Sequence, residues 1–201
     1  VLISQDLMPD GWTVGDATGN SFYWHWSQLG PRGRYISYDD QNLLSSLVPS
    51  EDPSDMLASG SAANGVMMLE SDYFNTNPQG EMVVTPIEMD SYIMTPSIDL
   101  SNRESIILKF EQKFRWCCSS TNKISVFVSF DYNPENLEVA HWTEFSAKFD
   151  ALVSTGSQPN PHIAKIDISQ VAAGHESVYI KWRSEERRVG KECRCRWSHK
   201  H

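Results

Sequence analysis

The chain has 201 residues, with 26 acidic side chains against 17 basic ones and a formal net charge of −9. That length suits one domain with a substantial core, or two small ones. Basic charge is concentrated at the end of the chain: without residues 183–201 the balance is 10 basic to 23 acidic side chains, a net charge of −13. Such acidity excludes nucleic-acid binding through the phosphate backbone. No stretch approaches the roughly 20 apolar residues of a membrane span, so we expect no membrane insertion.

The first residues, "VLISQDLMPDGW", are typical of a β-strand, and no initiator Met precedes them. We therefore expect a piece of a longer protein, and the lack of a signal peptide gives no information about the compartment. The body is rich in Trp, Tyr, Phe, Asn, Ser and Asp and poor in Lys and Arg. This composition is typical of exported β-rich domains.

The next notable segment is "FYWHW", which places Phe22, Trp24 and Trp26 on one face of an extended chain and Tyr23 and His25 on the other. A flat row of aromatic rings can stack on the apolar faces of sugar rings. The alternative is that both tryptophans belong to the core. The candidate ligand-binding residues are Tyr23, Trp24, Trp26 and Tyr73.

A candidate metal site follows in "GVMMLESDYF", a predicted strand. Glu70 and Asp72 occupy alternate positions at the strand end and project the same way. Clustered carboxylates suit a hard cation such as Ca²⁺, which takes six to eight oxygen ligands. The sequence contains no complete calcium-loop motif, since "DYNPEN" lacks the glycine, and a solvated acidic loop is the alternative. We expect a structural Ca²⁺ at these two residues if the chain binds a metal.

After the predicted strand "SYIMTPSIDL", the clearest alternation lies in "SIILKFEQKFRWCC". Lys109, Glu111, Lys113 and Arg115 fall on its polar face, and Gln112 interrupts the apolar one. The turn "SSTNK" and the segment "ISVFVSF" follow, which predicts an antiparallel hairpin. The predicted apolar faces of the pair carry Ile106, Leu108, Phe110, Phe114, Trp116 and Cys118 on the first strand and Ile124, Val126, Val128 and Phe130 on the second.

Two more strands are predicted in "AKIDIS", with Ile166 and Ile168 inward, and in "SVYIKW", with Val178, Ile180 and Trp182 inward. Polar loops occupy roughly 37–64, 75–90 and 131–141, and no segment has a convincing amphipathic helical period. Several short strands with turn-rich connections predict an all-β fold, a jelly-roll-like antiparallel β-sandwich.

No catalytic motif surrounds the four histidines before residue 183. The adjacent Cys117 and Cys118 are more simply explained as two thiols on opposite faces of a strand than as a strained disulfide. We therefore predict that the chain is not an enzyme.

Three stretches resemble the choice-of-anchor J and cleaved-adhesin group, which is similar to the MAM domains of animal cell-surface proteins. They are the opening P-x-G-W, the strand around "NGVMMLESD", and L-x-F-x-Q in the alternating strand. The resemblance covers about residues 2–182 and implies a jelly-roll β-sandwich from a large secreted or surface protein of Bacteroidota. The chain departs from the group in the longer loop after Asp131 and in the lack of a recognisable closing strand after Trp182.

The last segment, residues 183–201, begins "RSEERRVGKEC", which resembles the conceptual translation of a common sequencing adapter. We therefore expect residues 1–182 to be a β-sandwich fragment without its closing C-terminal strand, and 183–201 to be non-native, disordered or adventitious. The C-x-C and H-x-H spacings of this segment look like metal ligands but are discarded on this interpretation.

Together these features favour a non-catalytic, extracellular adhesion or ligand-binding module, with carbohydrate as one candidate ligand, in a larger secreted or cell-surface bacterial protein. A glycan, a protein or a neighbouring domain of the same polypeptide are the candidate partners. The alternative is an accessory domain of a secreted peptidase or glycoside hydrolase.

Overall fold

The computed structural model describes residues 9–20, 23–27, 57, 66–70, 88–115, 122–136, 140–145, 161–186 and 194–198. The predicted strand at the start of the chain and most of the predicted loops 37–64 and 75–90 lie outside this part. The described residues form ten strands and one helical turn, and none of their helices is long and apolar enough to cross a membrane. The one helix among the described residues is α1 (Ser169–Ala172), which the sequence did not predict.

The strands in chain order are β1 (Thr13–Asp16), β2 (His25–Ser27), β3 (Val66–Glu70), β4 (Met89–Met94), β5 (Ile107–Arg115), β6 (Asn122–Ser129), β7 (Thr143–Glu144), β8 (His162–Asp167), β9 (Tyr179–Glu186) and β10 (Arg194–Ser198). They form two five-stranded sheets. Sheet A has the order β1-β4-β9-β6-β7, and sheet B has the order β2-β3-β10-β5-β8. Every pair of neighbouring strands is antiparallel.

The core lies between the two sheets and takes apolar side chains from both. Trp182 of sheet A stacks on Trp12, with ring centroids 6.0 Å apart, and meets the edge of Phe110 of sheet B at 5.8 Å. Such aromatic contacts add to the free energy gained by burying apolar surface. The predicted all-β antiparallel sandwich is therefore confirmed.

The alternation in the last predicted strands identifies their inner faces correctly. Ile166 and Ile168 are buried beside β8, and Val178, Ile180 and Trp182 are buried along β9. All five belong to the same core cluster. Period-2 alternation is reliable here because one face of each strand packs on the opposite sheet.

The predicted hairpin of β5 and β6 is wrong. β5 lies in sheet B between β10 and β8, whereas β6 lies in sheet A between β9 and β7. Alternation determines which side chains point inward, but it carries no information about which strand is the neighbour. Residues 116–121, between the two strands, lie outside the described part.

Three side chains of these strands need separate comment. Gln112 interrupts the apolar face as predicted and is fully buried, with its Nε2 3.4 Å from Nδ1 of His162. Glu111 was expected on a solvent-exposed face but is only 3% exposed. Phe130 was expected in the core but is 44% exposed, because it lies one residue beyond the end of β6.

Past Trp182 the described residues continue as strands. β9 runs to Glu186, and Arg194–Ser198 forms β10, which pairs with both β3 and β5. The missing native closing strand and the disordered or adventitious nature of the segment 183–201 stay predictions. Its resemblance to an adapter translation, and with it a non-native origin, stays a prediction.

Candidate ligand-binding site

The predicted aromatic row lies in the core rather than on a surface. Trp24 is 2% exposed and Trp26 packs against the same core cluster, so the inward row of β2 faces sheet A. The expectation that Trp24 presents its ring to a ligand is therefore wrong, and the alternative interpretation as core is correct. Tyr23 is half-buried just before β2, and Tyr73 lies outside the described residues.

The predicted metal site is only partly within the described residues. Glu70 ends β3, whereas Asp72 lies outside. Among the described residues no group of three or more His, Cys, Asp or Glu side chains could hold a metal ion. Calcium binding at Glu70 and Asp72 stays a prediction.

A different group of aromatic side chains lies on the outer face of sheet A, opposite the core. Tyr92 of β4, Phe127 of β6 and Tyr179 of β9 alternate with the inward rows of their strands. Tyr132 and Trp142 follow β6 and precede β7, and their rings contact this face. We call this group the outer aromatic cluster; its members are Tyr92, Phe127, Tyr132, Trp142, Tyr179 and the ammonium-bearing Lys181.

Lys181 lies at the centre of the outer aromatic cluster. Its Nζ is 3.8 Å from the ring centroid of Trp142, 5.3 Å from that of Phe127 and 5.7 Å from that of Tyr92. A cation over an aromatic face is attracted by the negative charge of the ring's π-system. The register explains the geometry, since Phe127 lies directly opposite Lys181 on the neighbouring strand.

Burial of this lysine disfavours its charged form. Desolvation lowers the pKa of Lys181 to about 8, helped by the positive charge of Arg183 and opposed by the negative charge of Asp90. Among the described residues, Lys181 has no ion-pair partner; its recorded contacts are with the three rings. Within the described residues, the site therefore holds a partly desolvated ammonium on which the negative charge of Asp90 acts at longer range.

Tyr132 joins the two ends of the cluster. Its ring centroid is 5.4 Å from that of Trp142 and 4.9 Å from that of Tyr179, which it meets nearly edge-on. Burial raises the pKa of the Tyr132 hydroxyl, with smaller contributions from Tyr92 and Tyr179. The hydroxyl therefore stays protonated and can donate a hydrogen bond at neutral pH.

The segment that carries Tyr132 is fixed at its base by Asp131. The Ser129 hydroxyl and the backbone N–H of His141 donate to Oδ1 of Asp131, at 2.8 and 2.9 Å. Nδ1 of His141 lies 2.6 Å from Oδ2. Hydrogen bonds from His141, first through its side chain and then through its backbone, lower the pKa of Asp131 to about 2. The loop between Tyr132 and Trp142 is thus closed by one carboxylate.

Polar and charged groups border the rings. Asp90 accepts hydrogen bonds from Nε and Nη2 of Arg183, and the Nε bond is 2.6 Å long. The Ser125 hydroxyl donates to Oε1 of Glu144 at 2.8 Å. Arg183 belongs to the adapter-like segment, whereas the members of the outer aromatic cluster all precede it.

The histidines lie in separate places. His141 is next to Asp131, and His175 stacks on Phe130 with centroids 4.1 Å apart. His162 lies near Gln112, and burial lowers its pKa. His25 is buried in β2. In the contacts just described, each of His141, His162 and His175 has a partner other than a histidine.

The sequence analysis missed the outer aromatic cluster. One signal was present, because Tyr179 and Lys181 alternate with the inward row of "SVYIKW" and therefore face outward. Finding the cluster also required the order β4-β9-β6, which brings Tyr92 and Phe127 to either side of Lys181. Strand order depends on contacts between distant parts of the chain.

Two five-stranded antiparallel sheets on one core define the described part of the chain as an all-β sandwich. It is similar to solved structures of cleaved adhesin domains. The K1 cleaved adhesin domain of Lys-gingipain from Porphyromonas gingivalis is 18% identical, with a TM-score of 0.46 over 96% of this chain and 94% of that one. The K3 domain is 15% identical, with a TM-score of 0.48 over 96% and 94%.

The K2 cleaved adhesin domain of Lys-gingipain is 13% identical, with a TM-score of 0.45 over 95% of this chain and 91% of that one. These matches cover nearly the whole chain, and at such identities and TM-scores they carry no further conclusion. No protein-family model matches the sequence, and no curated protein matches it significantly.

Proposed function

We propose that the chain is a non-catalytic, extracellular ligand-binding module of a larger secreted or cell-surface bacterial protein, and that it binds carbohydrate at the outer aromatic cluster. The observation that carries this proposal is the placement of five aromatic side chains around Lys181 on the sheet face that the core does not use. Large rings at an outer face provide binding area at low conformational cost.

Carbohydrate fits the chemistry of this surface. The rings of Trp142 and Tyr132 offer apolar faces on which the C–H faces of a sugar ring can stack. The hydroxyl of Tyr132 supplies a donor, and the exposed carboxylate of Glu144 supplies acceptors, for sugar hydroxyls. A pairing of apolar stacking with a few polar groups is typical of small-molecule recognition.

The support of the surface is rigid, which favours binding. Four of the six cluster members lie on β4, β6 and β9, the three central strands of sheet A. The segment carrying the other two, Tyr132 and Trp142, is held by the hydrogen bonds to Asp131. Side chains that are already ordered lose less entropy when a ligand binds.

An accessory role beside a secreted peptidase or glycoside hydrolase remains the second interpretation of the module. Both interpretations give the described residues the same task, and they differ in the neighbouring domains. Reading the intact gene on both sides discriminates between them. A neighbouring catalytic motif favours the accessory role, and tandem sandwiches with a surface-sorting segment favour adhesion.

A glycan array probed with the 201-residue chain tests the proposed function. We expect binding that Trp142→Ala and Tyr132→Ala each weaken about tenfold, since one stacked ring contributes roughly 1–1.5 kcal/mol. Phe130→Ala is the matched control, because this ring is exposed but stacks on His175, outside the cluster. The absence of any glycan signal, or equal effects of all three variants, would contradict the proposal.

A further inference from the structure

We infer that the ligand carries a carboxylate, as in a uronic or sialic acid, and that this carboxylate binds the ammonium of Lys181. The inference rests on the proposed function and adds the chemical class of the ligand. The contacts of Lys181 and those of its charged neighbours support it.

Lys181 differs from Arg183, the other basic side chain described on this part of the face, because Asp90 acts on Lys181 only at longer range and is hydrogen-bonded to Arg183 instead. Its neighbour Arg183 makes two hydrogen bonds to Asp90, which compensates that pair internally. Within the described part of the chain, the Nζ of Lys181 is recorded against rings alone, at 3.8 to 5.7 Å. A desolvated cation of this kind gains most from a partner of opposite charge.

The rings orient this ammonium and also limit its other partners. Trp142 covers one side of Nζ at 3.8 Å, and Phe127 and Tyr92 lie farther away. Because Nζ lies over one face of Trp142, a ligand that stacks on Tyr132 and packs against the edge of Trp142 is brought within reach of the lysine. A sugar acid satisfies both requirements, because its ring is apolar on one face and its carboxylate projects from the edge.

Charged and titratable groups surround Lys181 on three strands of sheet A. On β4 they are Asp90, bonded to Arg183, and Tyr92; on β9 they are Arg183, Tyr179 and Glu185, which lies 3.7 Å from Arg183. Beyond β6, Glu144 accepts the Ser125 hydroxyl, and Tyr132 completes the set.

The acidic groups in this set oppose an anionic ligand at long range. Interactions between exposed charges are screened beyond about 8 Å at physiological ionic strength. A direct contact between the ligand carboxylate and the Lys181 ammonium outweighs this long-range repulsion, because the ammonium is partly desolvated and the contact is short.

Matched pairs of sugars test the inference with the whole chain. One pair is an oligogalacturonate and its primary amide, and the other is sialyllactose and its primary amide, so that each pair differs only in the carboxylate. We expect the acid of one pair to bind at least about tenfold more tightly than its neutral partner. Titration calorimetry at pH 7 and pH 9.5 measures both affinities.

Two substitutions separate charge from structure. Lys181→Met should reduce the ratio of acid to neutral affinity to about one. In the unsubstituted chain the ratio of acid to neutral affinity should be lower at pH 9.5 than at pH 7, because the pKa of Lys181 is about 8 and the ammonium loses its proton. Lys181→Arg should keep the preference for the acid at both pH values, because arginine stays charged. A purely structural role for Lys181 predicts neither pH effect.

The outcomes are distinguishable from those of the proposed function. Equal binding of acid and neutral partner overturns the inference and leaves carbohydrate binding standing. A preference for acids that survives Lys181→Met also overturns it. If no sugar of either pair binds and the glycan array is silent, both proposals fail together.

Discussion

The ring of Tyr92 lies directly over Gly15 of the neighbouring strand. The two residues are paired in the register of β1 and β4, and a Cβ placed on Gly15 would lie 2.3 Å from Cζ of Tyr92. Real Cβ atoms do not approach another atom so closely. The missing side chain at position 15 therefore allows Tyr92 its position in the outer aromatic cluster.

Gly15→Ala should displace the Tyr92 ring. We expect the free energy of unfolding to fall by about 1 kcal/mol. This is the low end of the range for substitutions that add volume, because the end of the Tyr92 side chain can move away from the new methyl group. A double-mutant cycle measured by urea unfolding checks the cause. In a Tyr92→Ala background the same substitution should have almost no effect, and an undiminished effect there would show that the clash is not with this ring.

Asp131→Asn should change how stability depends on pH. Hydrogen bonds hold the pKa of Asp131 at about 2 in the folded chain, below its ordinary value of 3.8. Because the folded-state pKa is lowered, the carboxylate's contribution is present above about pH 4 and is lost as the pH falls toward 2. The substituted chain should lack this loss.

Urea midpoints measured from pH 6 to pH 2 provide the test of the Asp131 prediction. The control is Glu104→Gln, which also replaces a carboxylate by a neutral amide but at an exposed position. If the difference in midpoint between the unsubstituted chain and Asp131→Asn stays constant across this range, the prediction is wrong.

The inward rows of β8 and β9 could be predicted from the sequence, whereas the candidate site could not. Ile180 and Trp182 alternate with polar residues, and burial of one strand face is enough to produce that pattern. Trp24 and Trp26 were correctly placed on one face, but the sequence alone did not decide whether this face points inward or outward. Lys181 is surrounded by rings from distant segments, so its environment depends on strand order.

Partner choice is also where the β5–β6 hairpin prediction failed. Both strands alternate, and a short turn-like segment separates them, so local pattern favoured direct pairing. In the structure each strand instead pairs with segments far along the chain, β5 with β8 and β10, and β6 with β9. Sandwich topology is decided by how two sheets share one core, and a local pattern does not contain that information.

Lys181→Met should stabilise the chain at neutral pH and change its alkaline behaviour. Burial lowers the pKa of Lys181 from 10.5 to about 8, so between these values the unfolded chain binds more protons than the folded chain. Stability from this group therefore rises as the pH increases from 8 toward 10.5. Methionine keeps the length of the side chain without the charge, so the variant should lack that rise.

Chemical denaturation from pH 7 to pH 9 measures the Lys181 effect, in a range where tyrosines, with an ordinary pKa of about 10, remain mostly protonated. Lys165→Met, at an exposed position of β8, is the matched control and should leave the pH dependence as it is. A variant at position 181 that keeps the unsubstituted slope would show that this lysine is not desolvated in solution.

The position of β10 between β3 and β5 gives a test of whether the end of the chain contributes to the fold. Arg196 pairs with Met68 on one side and Lys113 on the other. Proline has no N–H, so Arg196→Pro removes a ladder hydrogen bond in the middle of sheet B. Arg196→Thr keeps the N–H and a good strand former, which makes it the matched control.

We expect the free energy of unfolding of Arg196→Pro to be lower than that of Arg196→Thr by at least about 1 kcal/mol, because a buried backbone acceptor loses its partner. Urea unfolding of the two variants measures this difference. The loss of β10 would also leave β3 and β5 with unpaired edges, and such edges promote aggregation. Equal stability of the two variants would mean that this strand contributes nothing to folding. That result would support the prediction that residues 183–201 are adventitious, because a segment of unrelated origin is not expected to stabilise the fold.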